Sequence, residues 1–260
     1  MGSNIKMEYP NPFHRTDYYL SIQHVERYRF AITKLHPGQR VLDIACGFGY
    51  GTAMLLQYGC EVIGADYDNK AVSKARSTWG HPGFVNANAL NLPFADDSFD
   101  AVVCFETIEH TNEGDRFLEE MNRVLKPGGL FICSTPNISY TFHPPFHKKE
   151  YLPEEFYQLV GKYFSKVERY AQFFSYKDRL NDLSRLRLRP LVVEILKKIG
   201  LKELLKQLLR KNKTVFSSGE THSGSIGQLN LISSNRYIVK PLNSASGLLR
   251  IMIALGRKAS

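Results

Sequence analysis

The fold of this chain is decided by the stretch Arg40-Val-Leu-Asp-Ile-Ala-Cys-Gly-Phe-Gly-Tyr-Gly-Thr52. The apolar run from Val41 to Ala45 predicts a buried strand, and the three alternating glycines that follow predict a tight turn. A helical pattern begins directly after the turn. Glycine permits close backbone approach, and the first N–H groups of a helix offer hydrogen-bond donors. The stretch therefore predicts that a nucleotide-like ligand binds at this turn.

The glycine spacing distinguishes between two kinds of cofactor. A dinucleotide fingerprint requires G-x-G-x-x-G, but Thr52 stands where the third glycine belongs. Asp43, inside the strand, suits a cofactor with a positively charged amino-acid end. Here the sequence resembles the class I S-adenosylmethionine-dependent methyltransferases, whose first motif reads V-L-D-x-x-C-G-x-G. The resemblance implies that Asp43, Ala45, Gly47 and Gly49 contact S-adenosylmethionine, with S-adenosylhomocysteine as the product.

Later segments extend this resemblance in chain order. The second strand ends at Asp66, whose carboxylate can accept hydrogen bonds from both ribose hydroxyls, and Tyr67 can pack on the adenine. The segment Phe84–Phe94 resembles the family's D-A-x-x-L-P-F element, with Asn88 in place of the usual acid, and implies adenine contacts from Asn88 and Ala89. Phe105 completes the predicted cofactor set. The run Arg123-Val-Leu-Lys-Pro-Gly-Gly129 matches the turn that precedes the family's fifth strand.

Strands and helices alternate along the chain, which predicts an α/β fold with a parallel sheet covered on both faces. Together with the resemblance, this predicts a Rossmann-like, seven-stranded, mostly parallel sheet with helices on both faces and a helical insert before the last strand. Strands are predicted at 40–45, 61–66, 83–87, 99–105, 129–135, 166–173 and 236–240, and helices at 18–35, 51–58, 69–78, 113–125 and 153–162. The predicted domains are an N-terminal helical cap (1–37), the cofactor-binding core (38–175), a basic helical insert (176–226), and the last strand with the C-terminal tail (227–260).

Composition and charge limit the kinds of protein that this chain can be. The N-terminal residues contain no apolar segment typical of a secretory signal, and the four cysteines lack C-x-x-C spacing. These features predict a cytoplasmic protein in a reducing compartment. The net charge is +9, but residues 141–260 hold 22 basic and 9 acidic residues, so the positive charge is concentrated in that half. This asymmetry predicts an anionic partner or simply a soluble basic surface.

The insert carries much of this basic charge. Leucines recur at helical spacing along residues 201–209, with lysines mostly on other faces. Such a segment can contact the inner face of an anionic membrane through residues 185–213, cover the active site as a lid, or simply pack on its own domain. Nucleic acid is disfavoured as a partner because no aromatic residues are interleaved with the basic ones.

The candidate residues for the chemical step lie in the segment Glu106-Thr-Ile-Glu-His110. It follows the fourth strand, where ligands bind in open α/β sheets, and it is followed by His143 and His147. Glu106, His110 and His147 are the predicted catalytic residues, and His143 is a weaker candidate. The E-x-x-E-H pattern with a later histidine resembles ubiquinone-pathway O-methyltransferases and small-RNA 3′-terminal 2′-O-methyltransferases. That resemblance implies a Mg²⁺ or Mn²⁺ site at Glu106, Glu109, His110 and His147. The competing interpretation is that the histidines act directly as bases or pack, without a metal.

The sequence therefore predicts a methyltransferase that modifies a hydroxyl on a small-molecule or glycan acceptor, with an anionic or lipid-linked acceptor suiting the basic half. One alternative is a metal-assisted enzyme acting on quinone precursors or RNA 3′ ends. Another is a non-catalytic module that keeps the cofactor fold and binds a partner.

Overall fold

A computed structural model of the protein describes residues 18–140, 145–174, 239–242 and 248–260. Within these residues eight strands form one sheet in the order β3-β2-β1-β4-β5-β8-β6-β7. Strands β1 to β5 run parallel to their neighbours, β8 is antiparallel to β5, and β7 is antiparallel to β6. The strands are Arg40–Ile44 (β1), Glu61–Asp66 (β2), Phe84–Asn86 (β3), Phe99–Phe105 (β4), Leu125–Pro136 (β5), Ser165–Phe174 (β6), Val239–Pro241 (β7) and Leu248–Arg257 (β8).

In the described residues one α-helix precedes the first strand and four lie between strands, and local chemistry sets several of their ends. The Asp68 side chain accepts a hydrogen bond from Lys70 N and caps the third helix, which ends at Gly80 in the left-handed conformation. The fifth helix begins with Pro153, whose fixed φ suits the first helical turn. The helices are Tyr18–Ile32 (α1), Tyr50–Tyr58 (α2), Asn69–Trp79 (α3), Gly114–Val124 (α4) and Pro153–Tyr163 (α5). No helix in these ranges is long and apolar enough to cross a bilayer.

The core lies between the central strands and the helices that cover them. Residues 101–104 of β4 are all fully buried, as expected for a parallel strand covered on both faces. In α4, Phe117, Leu118, Met121 and Val124 form one buried face. Each fully buried side chain of this size contributes about 1.5–3 kcal/mol relative to exposure. The Phe131 and Phe164 rings stack at 4.3 Å between centroids and tie β5 to the segment before β6.

The α/β fold with a mostly parallel sheet is confirmed, but the prediction for its last strand was wrong. The segment predicted at 236–240 supplies only the short edge strand β7, and the antiparallel strand beside β5 is β8. Residues 251–255 are apolar and buried without interruption, so their sequence shows no alternation that would separate a strand from a helix. The described residues therefore contain eight strands instead of seven.

Strand order reverses between β1 and β4, because β2 and β3 lie on one side of this pair and β5 on the other. In an open parallel sheet, such a reversal leaves a crevice beyond the carboxyl ends of the strands. The glycine turn after β1 and the Glu106–His110 segment after β4 both lie at this edge.

Candidate functional site

The glycine turn is shaped by positive φ angles and close packing. Ala45, Gly47 and Gly49 have φ of 56°, 54° and 78°. A Cβ on Gly49 would lie 2.5 Å from the Phe84 ring, and one on Gly51 would collide with the Tyr28 ring. Glycine at these two positions lets the turn approach β3 and α1 closely.

Asp66 holds the turn from the neighbouring strand. Its Oδ2 accepts a hydrogen bond from Gly47 N at 2.8 Å, and its Oδ1 accepts one from Asp68 N at 2.8 Å. The residue is only 4% exposed, yet it lines the cavity, where its carboxylate is within reach of a ligand. Tyr67, next along the chain, is 72% exposed at the cavity edge and offers an aromatic face.

Asp43 occupies a different place from the other predicted cofactor residues. Its carboxylate is fully buried and accepts hydrogen bonds from Tyr28 Oη at 2.9 Å and Thr52 Oγ1 at 2.6 Å. Burial raises the pKa of Asp43 to about 7, and the two hydrogen bonds oppose that rise because they favour the ionised form. Asp43 is absent from the cavity wall formed by described residues, and instead joins α1 to α2.

The three predicted catalytic residues and most of the predicted cofactor residues line a single cavity of about 670 Å³, whereas Asp43 and Gly49 are not part of its lining. This size is within the range of small-molecule sites. Asn88 is exposed, and its Oδ1 accepts a hydrogen bond from Leu90 N at 2.9 Å. The predicted site residues that line the cavity are Ala45, Gly47, Asp66, Tyr67, Asn88, Ala89, Phe105, Glu106, Glu109, His110 and His147.

Glu106 lies at the end of β4 with φ of 54°, an uncommon conformation for a residue with a side chain. Ser134 at the end of β5 fixes it: Ser134 Oγ donates to Glu106 Oε1 at 2.9 Å, and Glu106 N donates to Ser134 O at 3.0 Å. The carboxylate is thus oriented by the adjacent strand.

Glu109, His110 and His147 form a separate cluster. One potential ligand atom from each lies within 4.8 Å of the others, and Glu106 is outside this group. Backbone N–H groups of Lys148 and Lys149 donate to Glu109 O at 2.7 and 3.1 Å, which brings His147 to the Glu109–His110 turn. A short 3-10 helix, Ile108–His110, supplies the first two residues.

Hydrogen bonds to nearby acceptors indicate which ring nitrogen of each histidine carries the proton, and His110 also interacts with the Glu106 backbone. His110 Nδ1 lies 3.3 Å from Phe146 O, and His147 Nδ1 lies 3.2 Å from Glu150 Oε1. Because each partner is an acceptor, each Nδ1 is assigned the proton, and each Nε2 carries a lone pair. Burial lowers the pKa of His110, which favours the neutral form that can accept a proton or bind a metal.

Glu109 is buried and only partly satisfied. Its side chain is 1% exposed, its Oε2 accepts a hydrogen bond from Thr135 Oγ1 at 3.0 Å, and its Oε1 has no hydrogen-bond partner among the described residues. Burial and the neighbouring Glu106 carboxylate raise the pKa of Glu109 well above its ordinary value. Such a carboxylate is costly to bury without a partner, so a cation at Oε1 would stabilise it.

Several residues at the site carry no motif of their own. Tyr28, Ser134 and Thr135 act through partners on other elements. Ser134 and Thr135 end a predicted strand, and Tyr28 lies within the predicted first helix. His24 and Phe146 also line the cavity. His143, the predicted insert and its membrane contact at 185–213 lie outside the described residues.

Comparison with known proteins relates this geometry to one family. Residues 42–133 match the family model described as a methyltransferase domain. A probable S-adenosylmethionine-dependent methyltransferase from Mycolicibacterium smegmatis is 38% identical over 130 residues, covering 47% of this chain and 50% of that protein. A demethylmenaquinone methyltransferase from Clavibacter sepedonicus is 37% identical over 140 residues, covering 50% of this chain and 57% of that protein. The chain thus spans about half the length of the curated relatives it matches.

Solved structures extend the likeness of fold to most of the chain. A SAM dependent methyltransferase from Archaeoglobus fulgidus superimposes with a TM-score of 0.58 at 18% identity, covering 93% of this chain and 99% of that one. At this identity, the likeness concerns the fold alone.

Proposed function

Because residues 42–133 match a methyltransferase domain and similar proteins are S-adenosylmethionine-dependent methyltransferases, we propose that the protein transfers a methyl group from that cofactor to a hydroxyl of a small-molecule or glycan acceptor. The observation that carries the proposal is the composition of the cavity. One wall holds the glycine turn and Asp66, and another holds Glu106 and the Glu109–His110–His147 cluster. A donor and an acceptor hydroxyl can therefore share one enclosed space.

The residues present fit the cofactor. Asp66 is fixed by two backbone N–H groups and lines the cavity, where its carboxylate can accept hydrogen bonds from ribose hydroxyls, while Tyr67 offers an aromatic face for a base. Gly47, which has a φ of 54° and lines the cavity, lets a ligand approach the backbone closely. S-adenosylmethionine supplies a methyl group that is already activated by its sulfonium, so the protein's work is to position the acceptor and remove its proton.

His110 is suited to that proton transfer. Its Nε2 carries a lone pair, and burial holds its pKa below the ordinary value, so the ring is neutral near neutral pH. Glu106, held by Ser134, can accept a hydrogen bond from the same acceptor hydroxyl and orient it. This assigns proton removal to His110 and orientation to Glu106.

A divalent metal at the cluster is an alternative to the histidine base, because a His110 Nε2 lone pair that binds the ion cannot also accept a proton. Glu109 Oε1 and the Nε2 atoms of His110 and His147 offer one carboxylate and two imidazole ligands, and each histidine has the outer hydrogen bond typical of a metal ligand. Two nitrogen ligands favour Mn²⁺ over Mg²⁺. A bound cation would lower the pKa of an acceptor hydroxyl. Glu106 is not a ligand in this arrangement.

The donor and the methylated atom are tested in sequence. Calorimetry with S-adenosylhomocysteine measures cofactor binding, and incubation of an acceptor panel with ¹³C-methyl-labelled cofactor identifies the methylated atom by NMR. We expect binding and an oxygen-linked methyl. A protein that does not bind the product cofactor would be no methyltransferase. Binding without transfer to any acceptor favours a non-catalytic module, and a carbon- or nitrogen-linked methyl would refute the hydroxyl assignment.

The metal is tested by dialysis against a chelator followed by titration with Mn²⁺ and Mg²⁺. The metal arrangement predicts that Mn²⁺ binds the wild type more tightly than Mg²⁺, and that His147→Ala weakens Mn²⁺ binding at least tenfold. His36→Ala, which changes an exposed histidine away from the cavity wall, is the matched control. Full activity in chelator together with no Mn²⁺ binding would leave His110 as a metal-free base.

A further inference from the structure

Lys148 brings a positive charge to the wall of the cavity. The residue is exposed, and it lines the cavity directly after His147. Its backbone N–H donates to Glu109 O at 2.7 Å, which fixes the main chain of Lys148 to the Glu109–His110 turn. The charge is therefore carried by the wall that holds the cluster, where the hydroxyl of the proposed acceptor lies, and not by the glycine turn.

The other ionisable side chains of residues 147–150 have partners. His147 Nδ1 lies 3.2 Å from Glu150 Oε1. Lys149 Nζ lies 3.1 Å from Glu155 Oε1 of α5, and Lys149 is not among the residues that line the cavity. Lys148 differs from Lys149 in both respects, because it lines the cavity and forms no ion pair with a described residue.

The acidic residues of the cavity wall do not neutralise Lys148. These residues are Asp66, Glu106 and Glu109, and each accepts a hydrogen bond from another group. No ion pair joins any of them to Lys148 in the part of the chain that the structure describes. A lysine ammonium is a compact charge with three donors, so an anion that enters the cavity with a ligand can pair with it.

The lining beside the cluster otherwise offers little to an anion. Phe117 and Phe146 line the cavity, and the Phe146 ring lies 5.6 Å from the His110 ring between centroids. Aromatic walls suit an apolar or ring-shaped part of an acceptor, whereas a negative charge that leaves water requires a partner. Among the described residues that line the cavity, Lys148 is the one lysine or arginine.

We propose that Lys148 binds an anionic group of the acceptor, a carboxylate or a phosphate, so that the acceptor is an acidic small molecule or an acidic glycan. The inference rests on the proposed function, because it assumes that the acceptor enters this cavity to be methylated. It narrows the class of acceptor and assigns its recognition to Lys148. An ion pair at Lys148 would also orient the acceptor, since the main chain of Lys148 is bound to the turn that carries His110.

The charge of the methylated product tests the acceptor class. The protein is incubated with ¹³C-methyl-labelled S-adenosylmethionine and a small-molecule extract of its source cells, and the products are passed over an anion exchanger near neutral pH. We expect the new oxygen-linked methyl signal in the retained, anionic fraction, whereas unreacted S-adenosylmethionine, a cation, passes through. Alkaline phosphatase then distinguishes the two anions, because a phosphate monoester loses its retention and a carboxylate keeps it.

Three variants test Lys148 itself with the retained acceptor. Lys148→Met should raise KM about tenfold or more and leave kcat within about twofold, because it removes an ion pair that holds the acceptor both before and during the reaction. Lys148→Arg keeps the charge and should retain most of the affinity. Lys162→Met removes an exposed lysine that is paired with Asp115 away from the cavity wall, and should behave like the wild type. All of these proteins should bind S-adenosylhomocysteine as the wild type does.

Several outcomes would contradict this assignment. A methylated product in the unretained fraction would overturn the inference, as would an unchanged KM for Lys148→Met. Weaker S-adenosylhomocysteine binding by Lys148→Met would also overturn it, since Lys148 would then serve the cofactor. A wild type that does not bind S-adenosylhomocysteine, or that labels no product, would overturn the proposed function and this inference with it.

Discussion

The hydrogen bond from Tyr28 to the buried Asp43 makes a pH-dependent contribution that Tyr28→Phe removes. The two oxygen atoms lie 2.9 Å apart, and the pKa of Asp43 is raised by burial to about 7. Below this pH, the variant loses a bond to a neutral carboxyl group, worth about 0.5–1.5 kcal/mol of unfolding free energy. Above it, the bond is to a carboxylate, and the loss is about 1.5–3 kcal/mol. The destabilisation should therefore increase between pH 6 and pH 9.

The direction of this change in stability with pH follows from proton linkage. Asp43 has a higher pKa in the folded protein than its ordinary value of 3.8, so its ionisation lowers the stability of the wild type as the pH rises from about 4 to 7. Loss of the Tyr28 donor raises the folded pKa further, because the donor favours the ionised form. The variant consequently loses more stability than the wild type over the range above pH 7.

Denaturant unfolding of both proteins at pH 6 and pH 9 measures this difference. Tyr58→Phe is the matched control, since Tyr58 Oη donates to the uncharged Leu35 O at 3.0 Å. Its cost should be about 0.5–1.5 kcal/mol at both pH values. An equal cost of Tyr28→Phe at the two pH values would refute the assignment of a titrating Asp43 under the glycine turn.

Three further outcomes are expected. Asp66→Asn should weaken S-adenosylhomocysteine binding at least tenfold by calorimetry, because Asp66 also holds Gly47 N, whereas Asp97→Asn at an exposed ion pair should bind normally. Since burial lowers the pKa of His110, kcat/KM should decrease with falling pH only below the ordinary histidine pKa of 6.5. His110→Asn should reduce kcat about 10²–10⁴-fold. A value of kcat/KM that already declines above pH 6.5 would contradict this assignment. Gly51→Ala should destabilise the protein by about 1–3 kcal/mol in thermal or denaturant unfolding, because the added Cβ collides with the Tyr28 ring. Gly161→Ala, where the Cβ meets open space among the described residues of α5, should stabilise it by up to about 1 kcal/mol, and equal effects at both glycines would rule out close packing at the turn.

The order of strands and helices in the core could be predicted from sequence because their signals are local. The bounds of β2 and β4 match their predicted ranges, since each strand is a short apolar run between turn residues. Strand β8 was missed because its sequence carries no such local signal. Its apolar residues are buried on both faces, and nothing in their spacing shows that they pair with β5.

The Glu109–His110–His147 cluster likewise combines neighbours in sequence with a residue from a distant segment. Glu109 and His110 are neighbours in sequence, and their place after β4 could be predicted from the alternation of elements. His147 reaches them only because Lys148 N and Lys149 N bind Glu109 O, a contact between segments nearly forty residues apart. Glu106 was predicted as a fourth ligand, yet Ser134 orients it outside the group of three.

The sequence by itself determined the glycine turn, its strand and its helix, because glycine spacing and apolar periodicity act over a few residues. It also predicted that Asp43 lies inside the strand, but it did not show which side chains its carboxylate binds. Only the tertiary structure brought Tyr28 and Thr52 onto Asp43, and Arg27 onto Gln172 of β6, 145 residues away. These partners are chosen by which faces of distant elements pack together. A side chain's charge and hydrogen-bonding state depend on that packing, which residue spacing along the chain does not encode.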